Sequence, residues 1–521
     1  MRVRSRFAVP AAVLTVLCAV AACSPSTAGA PTAAPGPVPP GLERFYAQEL
    51  SWGPCDEFAT TPNDVRAFAD PQLECTRLEV PLDYADPGGS TAEIAVMRRG
   101  ALDPQARIGS LLTNPGGPGA SGLSGLASVV VPGAGSGPLA QRFDLVGFDP
   151  RGVAASTPEI DCLTDVERDA ERADVDVDPS PAGVAETEAE NQRYADRCSE
   201  RVGDEVLATV GTRDASRDMD VLRAALGDAE LTYLGYSYGT QLGTAYAEQF
   251  PDNVRAMVLD GAVDPTQSPA ERLVAQGAGF QQAFQAFADW CVSQPEPCPL
   301  GQDAAGATAA YQALTRPLID RPVPAGEREL SYTDAITGTV QALYLSAAWP
   351  VLREGLSDVA QGSGEVLLAL ADLYEDRSAD GRYSDSLEAF VAILCVDQTR
   401  VTDRAEAGEI QRRYLEASPF QDPGRGVVAA LDTCALWPVP PTSEPAEADV
   451  SVPAMVVSVT GDPATPYQAG VDLAQALDAT LLTVEGNQHT AALQGNACVD
   501  GAVTAYLTEL REPSADARCT L

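Results

Sequence analysis

The chain alternates between two kinds of hydrophobic pattern along most of its length. Short runs rich in apolar and β-branched residues are separated by alanine-rich stretches whose apolar residues recur at helical spacing. This alternation predicts an α/β fold with a mostly parallel central sheet. The predicted strands are residues 92–98, 110–113, 143–148, 231–236, 254–259, 454–459 and 480–484, and the predicted helices include residues 214–226, 238–250 and 500–510.

One long segment interrupts this alternation. Residues 265–447 are mainly helical in pattern, contain few β-branched runs and lie between two predicted strands. Their position predicts a helical cap inserted into the sheet domain and covering one end of the sheet, with the core formed by residues 42–264 and 448–521. The acidic stretch at residues 165–190 is predicted to be a solvated helix or an excursion from the core.

The N-terminus has the pattern of an export signal. Three arginines precede an apolar run at residues 7–20, which is too short for a transmembrane helix. Residues 20–23, Val-Ala-Ala-Cys, resemble a bacterial lipobox, in which the cysteine is acylated and becomes the first mature residue. We therefore expect a signal peptide at residues 1–22, a lipid anchor at Cys23 and a flexible linker up to residue 41. These features predict an extracellular protein anchored to the cell membrane, and an ordinary secretory signal is the alternative.

The charge balance narrows the range of partners. The chain has 74 acidic and 34 basic side chains, a formal net charge of -40, and it contains no lysine. Such a surface repels phosphate backbones, so nucleic acid is excluded as a partner, and it is a poor match for anionic lipid. The acidity serves solubility or a preference for cationic substrates.

The cysteines also indicate export. Cys18 would be removed with the signal peptide and Cys23 would carry the lipid, which leaves ten of the twelve cysteines. Ten suit five disulfides in an oxidising compartment, and pairing of sequence neighbours is the simplest arrangement, although spacing alone does not fix it. Because the chain has a single histidine and no cysteine pair at metal-ligand spacing, we expect no metal and no other cofactor.

A nucleophile motif follows one of the predicted strands. Residues 235–239 read Gly-Tyr-Ser-Tyr-Gly, which matches G-x-S-x-G, and they lie between the strand at 231–236 and the helix at 238–250. This order is that of a nucleophile elbow, in which a strained turn lifts the serine hydroxyl above the sheet. Ser237 is therefore the predicted nucleophile, and the amide of Tyr238 is a predicted oxyanion donor.

Such a serine requires a base and an acid that orients the base. His489 is the only histidine and follows the last predicted strand, where the chain order Ser, acid, His places the base. Asp462 follows the strand at 454–459 and is the predicted acid. Asp260, which follows the strand at 254–259, is the alternative acid.

A glycine-rich turn supplies the second oxyanion donor. Residues 114–119 read Asn-Pro-Gly-Gly-Pro-Gly and follow the strand at 110–113. Glycines expose backbone N–H groups at low steric cost, and we predict that Gly117 is the donor. A phosphate-binding loop is the alternative, but the chain lacks the lysine that such a loop requires.

These motifs together resemble a known family. Residues 115–119 (Pro-Gly-Gly-Pro-Gly), 147–152 (Gly-Phe-Asp-Pro-Arg-Gly) and 234–240 (Leu-Gly-Tyr-Ser-Tyr-Gly-Thr) are similar to the prolyl and tripeptidyl aminopeptidase family of α/β-hydrolases. The resemblance is strongest to the secreted tripeptidyl aminopeptidases of actinobacteria. It runs from about residue 50 to the C-terminus and includes residues 393–397, 434–438 and 461–466.

The resemblance implies an α/β-hydrolase core with a cap, the same catalytic triad, and release of short peptides from substrates with a free N-terminus. In relatives that release proline the glycine turn begins with histidine, whereas Pro115 stands there in this chain, which favours tripeptide release. Cap carboxylates bind the substrate's α-amino group in the prolyl relatives, and Asp397 is the candidate here. An esterase or lipase on the same fold and a non-catalytic binding lipoprotein are the alternatives, and the intact Ser-His-Asp set argues against the second.

Overall fold

The computed structural model describes residues 37–442, 450–514 and 516–521. The predicted signal peptide, the predicted anchor Cys23 and most of the predicted linker lie outside these ranges. No helix within them is long and apolar enough to cross a membrane.

Most strands of the described chain join one sheet. The strands are β1 (Leu73–Pro81), β2 (Thr91–Arg99), β3 (Gly109–Asn114), β4 (Phe143–Phe148), β5 (Leu231–Tyr236), β6 (Val254–Asp260), β7 (Val323–Ala325), β8 (Arg328–Leu330), β9 (Ala454–Val459), β10 (Thr480–Glu485) and β11 (Arg518–Thr520). Within the described residues a nine-stranded sheet has the order β1-β2-β4-β3-β5-β6-β9-β10-β11. β2 pairs in antiparallel fashion with β1 and β4, and the other neighbours are parallel. The predicted α/β fold with a mostly parallel sheet is confirmed.

All seven predicted strands are present, each within one residue of its predicted limits. Four strands were not predicted: β1 and β11 of the large sheet, and the three-residue strands β7 and β8, which pair with each other. β1 is an edge strand whose Glu74, Arg77 and Glu79 side chains are exposed, so charge interrupts its hydrophobic pattern. β11 has three residues, too few for a pattern to show.

Helices fill the connections between the strands. They are α1 (Glu43–Tyr46), α2 (Pro62–Ala67), α3 (Gly122–Gly125), α4 (Val131–Ala134), α5 (Pro138–Arg142), α6 (Asp165–Ala173), α7 (Pro181–Arg201), α8 (Asp204–Leu207), α9 (Thr212–Ala225), α10 (Tyr238–Gln249), α11 (Pro269–Ser293), α12 (Ala307–Thr315), α13 (Tyr332–Leu343), α14 (Trp349–Ala360), α15 (Glu365–Tyr374), α16 (Ser386–Asp397), α17 (Arg404–Ala417), α18 (Tyr467–Ala476) and α19 (Ala497–Glu509). The three helices predicted in the core correspond to α9, α10 and α19.

The sheet is buried on both faces because helices pack against each side, and successive strand residues point to opposite sides. In β9, Val456 packs into one buried cluster while Met455 packs into the other. Helix α9 contributes Met219 to the first cluster, and α19 contributes Val503 to the second. The functional loops are therefore held at the ends of strands that cannot shift without opening a packed core.

The inserted segment between β6 and β9 carries a core of its own. A third buried cluster joins α11 to α15 and includes Phe284, Phe287 and Leu352. Phe284 stacks on Phe420 with ring centroids 4.9 Å apart. Helices α11 to α17 lie within residues 265–447, where the cap is predicted, and the domain limits themselves stay predictions.

The acidic excursion is less solvated than its sequence indicates. It forms α6 and α7, and two arginines of α6 point towards the inserted helices. Arg172 lies 2.7 Å from Asp334, and Arg168 lies 3.0 Å from Glu388. Both pairs are largely buried, and Arg172 also contacts Asp372 at 2.8 Å. Loss of either arginine would therefore leave a buried carboxylate without its partner.

Five disulfides close within the described part of the chain, and each joins sequence neighbours, as the simplest pairing predicts. They are Cys55–Cys75, Cys162–Cys198, Cys291–Cys298, Cys395–Cys434 and Cys498–Cys519.

Candidate active site

Ser237 occupies a strained turn between β5 and α10. Its φ of 55° and ψ of -123° lie in a region that residues other than glycine rarely adopt. The turn closes because Gly235 lacks a side chain, since a Cβ there would lie 2.4 Å from the carbonyl oxygen of Gly239. The Ser237 N–H donates to the Asp260 carbonyl at the end of β6, 2.8 Å away. This geometry is that of the predicted nucleophile elbow.

The glycine-rich turn after β3 lies directly against this elbow. A Cβ on Gly116 would lie 2.8 Å from the Cβ of Ser237, so only glycine allows the approach. The Gly116 N–H donates to Asn114 Oδ1 at 3.0 Å, and Pro118 has no N–H, which leaves Gly117 as the possible donor among residues 116–118. The close contact between the glycine-rich turn and the elbow is typical of an oxyanion hole rather than of a phosphate-binding loop.

The two predicted oxyanion donors share the cavity of the nucleophile. Gly117, Tyr238 and Ser237 all line it. Tyr238 is the first residue of α10, so its N–H has no partner within the helix. Both amides are thus available to a developing negative charge beside the serine hydroxyl.

The predicted acid and base are hydrogen-bonded to each other. Asp462 follows β9 and His489 follows β10, and His489 Nδ1 lies 2.9 Å from Asp462 Oδ1 and 3.0 Å from Oδ2. The N–H groups of Ala464 and Thr465 each donate to Asp462 Oδ1 at 2.9 Å, which fixes the carboxylate. Sequence analysis missed the Thr465 hydroxyl, which contacts Asp462 Oδ2 at 3.0 Å and His489 Nδ1 at 3.3 Å.

This pair sets the protonation behaviour of the histidine. Burial disfavours the imidazolium, but the adjacent Asp462 carboxylate outweighs it, so the pKa of His489 lies above its ordinary value of 6.5. A proton on Nδ1, shared with Asp462, leaves Nε2 as the basic nitrogen. The arrangement is that of a general base oriented by a carboxylate.

Asp260, the alternative acid, takes a different position. Its Oδ2 accepts the N–H groups of Ala491 and Ala492, each at 2.7 Å, and no described residue bonds to its Oδ1. Burial raises the pKa of Asp260 to about 6. Asp260 therefore holds the loop that follows His489, and Asp462 is the carboxylate that contacts the imidazole.

The nucleophile and histidine loops meet at the end of β6. The Asp260 carbonyl accepts the Ser237 N–H, and a Cβ on the next residue, Gly261, would lie 3.1 Å from Cε1 of His489. The loop that carries Ser237 after β5 and the loop that carries His489 after β10 thus both contact residues 260–261, and His489 in turn contacts Asp462 after β9.

The inserted helices also contact the histidine. The His489 N–H donates to the Tyr344 carbonyl at 2.8 Å, and the Tyr344 ring meets the imidazole edge-on at 5.4 Å between centroids. Tyr344 follows α13, far from His489 in the chain, and no local pattern could have predicted this contact.

A cavity of about 570 Å³ opens beside Ser237. Its core side carries the elbow and the glycine turn. The inserted segment contributes polar residues to the cavity and also an apolar and aromatic group, namely Phe280, Ile336, Val340, Tyr344, Tyr374 and Leu394. This volume lies in the range of about 300–1,000 Å³ that is usual for small-molecule sites.

Asp397, the candidate for amine binding, does not line this cavity. It lines an adjoining cavity of about 430 Å³ and is bonded to Thr212, whose N–H donates to it at 2.8 Å. The Thr212 hydroxyl also contacts the Tyr238 hydroxyl at 2.6 Å. Burial raises the pKa of Asp397 to about 6. These contacts connect Asp397 to the elbow through Thr212.

The motif at residues 147–152 is structural. Asp149 accepts the Ser121 hydroxyl at 2.7 Å and the Leu123 and Ala155 N–H groups, so it ties the segment after the glycine turn to the end of β4. Arg151 forms a buried ion pair with Asp218 at 2.7 Å. Neither side chain lines the Ser237 cavity.

Comparison with known proteins places the chain in a family. Residues 109–496 match the family model for the alpha/beta hydrolase fold. The chain is 46% identical over 496 residues to "Serine protease Hip1" of Mycobacterium tuberculosis, covering 92% of each protein. It is 45% identical over 505 residues to "Carboxylesterase B" of the same species, covering 95% of this chain and 94% of that protein. It is 31% identical over 464 residues to the "Tripeptidyl aminopeptidase" of Streptomyces lividans, covering 86% and 83%.

The fold, the site and these similarities define a serine hydrolase, and the chain belongs to the α/β-hydrolase family. Its relatives include the Streptomyces tripeptidyl aminopeptidase and the mycobacterial serine protease, which confirms the resemblance drawn from the motifs. The roles of the individual site residues stay predictions.

Proposed function

We propose that this protein is a serine exopeptidase that releases tripeptides from the free N-termini of extracellular peptides. The observation that carries the proposal is the cavity beside Ser237, whose wall is formed by the elbow and by residues of the inserted segment. A cavity with walls from both segments suits a short chain end better than the middle of a long polypeptide. Relatives named as a serine protease and a tripeptidyl aminopeptidase support the same reading.

The proposed reaction follows from the site geometry. The Ser237 hydroxyl attacks the carbonyl carbon of the third peptide bond while His489 Nε2 takes its proton, and Asp462 stabilises the imidazolium. The amides of Gly117 and Tyr238 hold the oxyanion. His489 then gives the proton to the leaving amine. Water, deprotonated by the same nitrogen, cleaves the acyl-enzyme and frees the tripeptide.

Two carboxylates in the cavity wall suit a protonated N-terminus. Asp264 is buried, and its Oδ1 accepts the Thr266 N–H at 2.8 Å and the Thr266 hydroxyl at 2.7 Å. Asp432 accepts the Ala435 N–H through Oδ1 at 2.8 Å. Each has a second carboxylate oxygen for an ammonium group, and both residues line the Ser237 cavity, which Asp397 does not.

A carboxylesterase is the second candidate. The apolar wall of the cavity could hold an acyl chain, and the relative with 45% identity is named carboxylesterase B. The triad serves esters and amides alike, so the fold does not decide between them.

Three substrates separate these activities. Protein starting after Cys23 and its Ser237→Ala variant are assayed with a free tripeptide amide, its N-acetylated twin and a short acyl ester. Exopeptidase activity predicts cleavage of the free tripeptide that depends on Ser237 and falls sharply on acetylation. Equal cleavage of the acetylated twin would contradict the exopeptidase proposal, and turnover of the ester alone would establish the esterase.

We also propose export and lipid anchoring at Cys23. The signal-like segment and the lipobox-like residues 20–23 support it. On expression in an actinobacterial host, we expect the protein in the membrane fraction. Mass spectrometry of its N-terminal peptide should show the added mass of acyl chains on Cys23. A Cys23→Ala variant recovered equally in the membrane fraction would contradict the anchor.

A further inference from the structure

The Ser237 cavity and the adjoining cavity that Asp397 lines share part of their walls. The shared wall includes Gln241, Asp264, Gln267, Arg272 and Gln398. A substrate beside Ser237 therefore has a second space next to it, and Arg272 stands at the junction. No role for this arginine follows from the triad chemistry.

Arg272 is held at the start of a long helix. It is the fourth residue of α11, which begins at Pro269 and is capped by Ser268 and Glu271 in a reciprocal capping box. The cap fixes the first turn, so the arginine backbone is positioned before any ligand binds. A backbone that is already fixed lowers the entropy lost on binding to that of ordering the side chain.

The donors of Arg272 are largely unused. Within the described residues, the Arg272 guanidinium makes one long hydrogen bond, 3.4 Å from Nη1 to Gln241 Oε1, and no carboxylate there forms an ion pair with it. A guanidinium offers five N–H donors in a planar fork that matches a carboxylate. Burial lowers the pKa of Arg272, in keeping with a charge that is poorly solvated.

The nearby acidic groups do not neutralise it directly. Asp397 is hydrogen-bonded to Thr212, and Asp264 is hydrogen-bonded to Thr266. Both carboxylates therefore affect the Arg272 charge only through longer-range electrostatic attraction. The other arginine in the Ser237 cavity, Arg400, is different because its guanidinium donates to the carbonyls of Trp437 and Val439. Arg272 is thus the arginine of this cavity with donors to offer.

We propose that Arg272 binds a carboxylate of the substrate and gives the enzyme a preference for substrates that carry one beside the scissile bond. The carboxylate can come from an acidic side chain or from the α-carboxylate of a short peptide. For peptides this inference rests on the proposed function, and for esters it does not. A substrate with a neutral isosteric group in place of the carboxylate would lose the charge-assisted hydrogen bonds to Arg272. Its kcat/KM should be lower by about tenfold or more.

The first test compares matched peptides. Tripeptide amides that differ only by Glu or Gln at each position in turn are assayed with the native enzyme, Arg272→Gln, and the control Arg213→Gln. Arg213 lines the adjoining cavity but not the Ser237 cavity, and it lies 3.5 Å from Glu248. We expect a preference for Glu of about tenfold or more at one position, lost in Arg272→Gln and kept in Arg213→Gln. Equal rates for Glu and Gln at every position would exclude the side-chain source.

A second arm tests the α-carboxylate. Short peptides are compared as free acids and as amides with the same three proteins. A preference for the free acid that only Arg272→Gln loses assigns the site to a chain end. If neither arm shows an Arg272-dependent preference for a carboxylate, the inference is wrong for peptides.

A third arm separates this inference from the proposed function. Nitrophenyl esters of succinic and butanoic acids differ by one carboxylate, and neither requires peptidase activity. Faster turnover of the succinyl ester that Arg272→Gln abolishes supports the site even if no peptide is cleaved. Unchanged thermal melting and unchanged turnover of the butanoyl ester show that Arg272→Gln is folded. Absence of an Arg272-dependent preference in all three arms overturns the inference.

Discussion

The backbone N–H of His489 donates to the carbonyl oxygen of Tyr344 at 2.8 Å, so the histidine is held by the inserted helices as well as by the sheet. Leu345 and Gln488 form a β-bridge at the same place. The inserted segment therefore does more than close the cavity, because it also fixes the direction of the imidazole. Movement of α13 would move the base.

The Tyr344 ring is expected to matter for turnover. Tyr344→Ala removes the edge-on contact with His489 and should lower kcat by about tenfold to a hundredfold, because a base displaced by a fraction of an ångström transfers protons poorly. Tyr374→Ala is the control, since Tyr374 lines the cavity and packs on Tyr344, with no ring contact to His489 in the described residues. We expect it to change KM more than kcat. An unchanged kcat in Tyr344→Ala would contradict the positioning role.

The assignment of the acid can be tested with a matched pair. Asp462→Asn should reduce kcat by about 10³- to 10⁴-fold, because the asparagine favours the wrong tautomer of His489. Asp260→Asn keeps an oxygen for the Ala491 and Ala492 N–H groups and should reduce kcat by less than about tenfold. Steady-state kinetics of both variants on one substrate measure the two losses of kcat. A larger loss in Asp260→Asn than in Asp462→Asn would make Asp260 the acid.

The pH profile follows from the raised pKa of His489. The base must be neutral to accept a proton, so kcat/KM should rise with pH through the pKa of His489 in the free enzyme. Because Asp462 holds that pKa above 6.5, the acid limb should have its midpoint above 6.5. Residual activity of Asp462→Asn should show a lower midpoint, since the charge that favours the imidazolium is gone. A wild-type midpoint below 6.5 would contradict the pairing.

The approach of the glycine turn to the elbow predicts a steric effect. Gly116→Ala places a methyl group 2.6 Å from the Tyr236 carbonyl oxygen and 2.8 Å from Ser237 Cβ, at a φ of 103°. We expect kcat to fall by about a hundredfold or more, because the predicted Gly117 donor must move with the turn. Gly306→Ala is the control, since nothing lies within 4 Å of a Cβ there. Equal activity of the two variants would contradict the assignment of Gly117 as an oxyanion donor.

The sequence predicted the parts of this molecule that depend on local pattern. Strand limits such as 454–459 followed from an apolar run rich in valine, and Ser237, Asp462 and His489 followed from their places after strands. Contacts between distant segments were not predictable. Arg272 and Tyr344 lie in the inserted segment, where helical periodicity gives no indication of which side chains reach the site.

Asp397 shows that a motif does not determine where a carboxylate lies relative to the nucleophile, and its role in amine binding stays a prediction. Its motif placed it in the inserted segment, but its carboxylate is engaged by Thr212 in the adjoining cavity. Asp264, which reaches the Ser237 cavity, sits just after β6 and carries no motif. The two residues differ in the burial of the carboxylate and in the direction in which it points, and both properties depend on the whole fold.

The central claim is that Ser237 is the activated nucleophile of this site. A fluorophosphonate probe phosphonylates a serine hydroxyl that a neighbouring base activates. Intact-mass measurement with peptide mapping should show one adduct, on Ser237, in the native protein and none in folded Ser237→Ala, with hydrolysis lost in parallel. An adduct on another residue, or hydrolysis that persists in Ser237→Ala, would contradict the account.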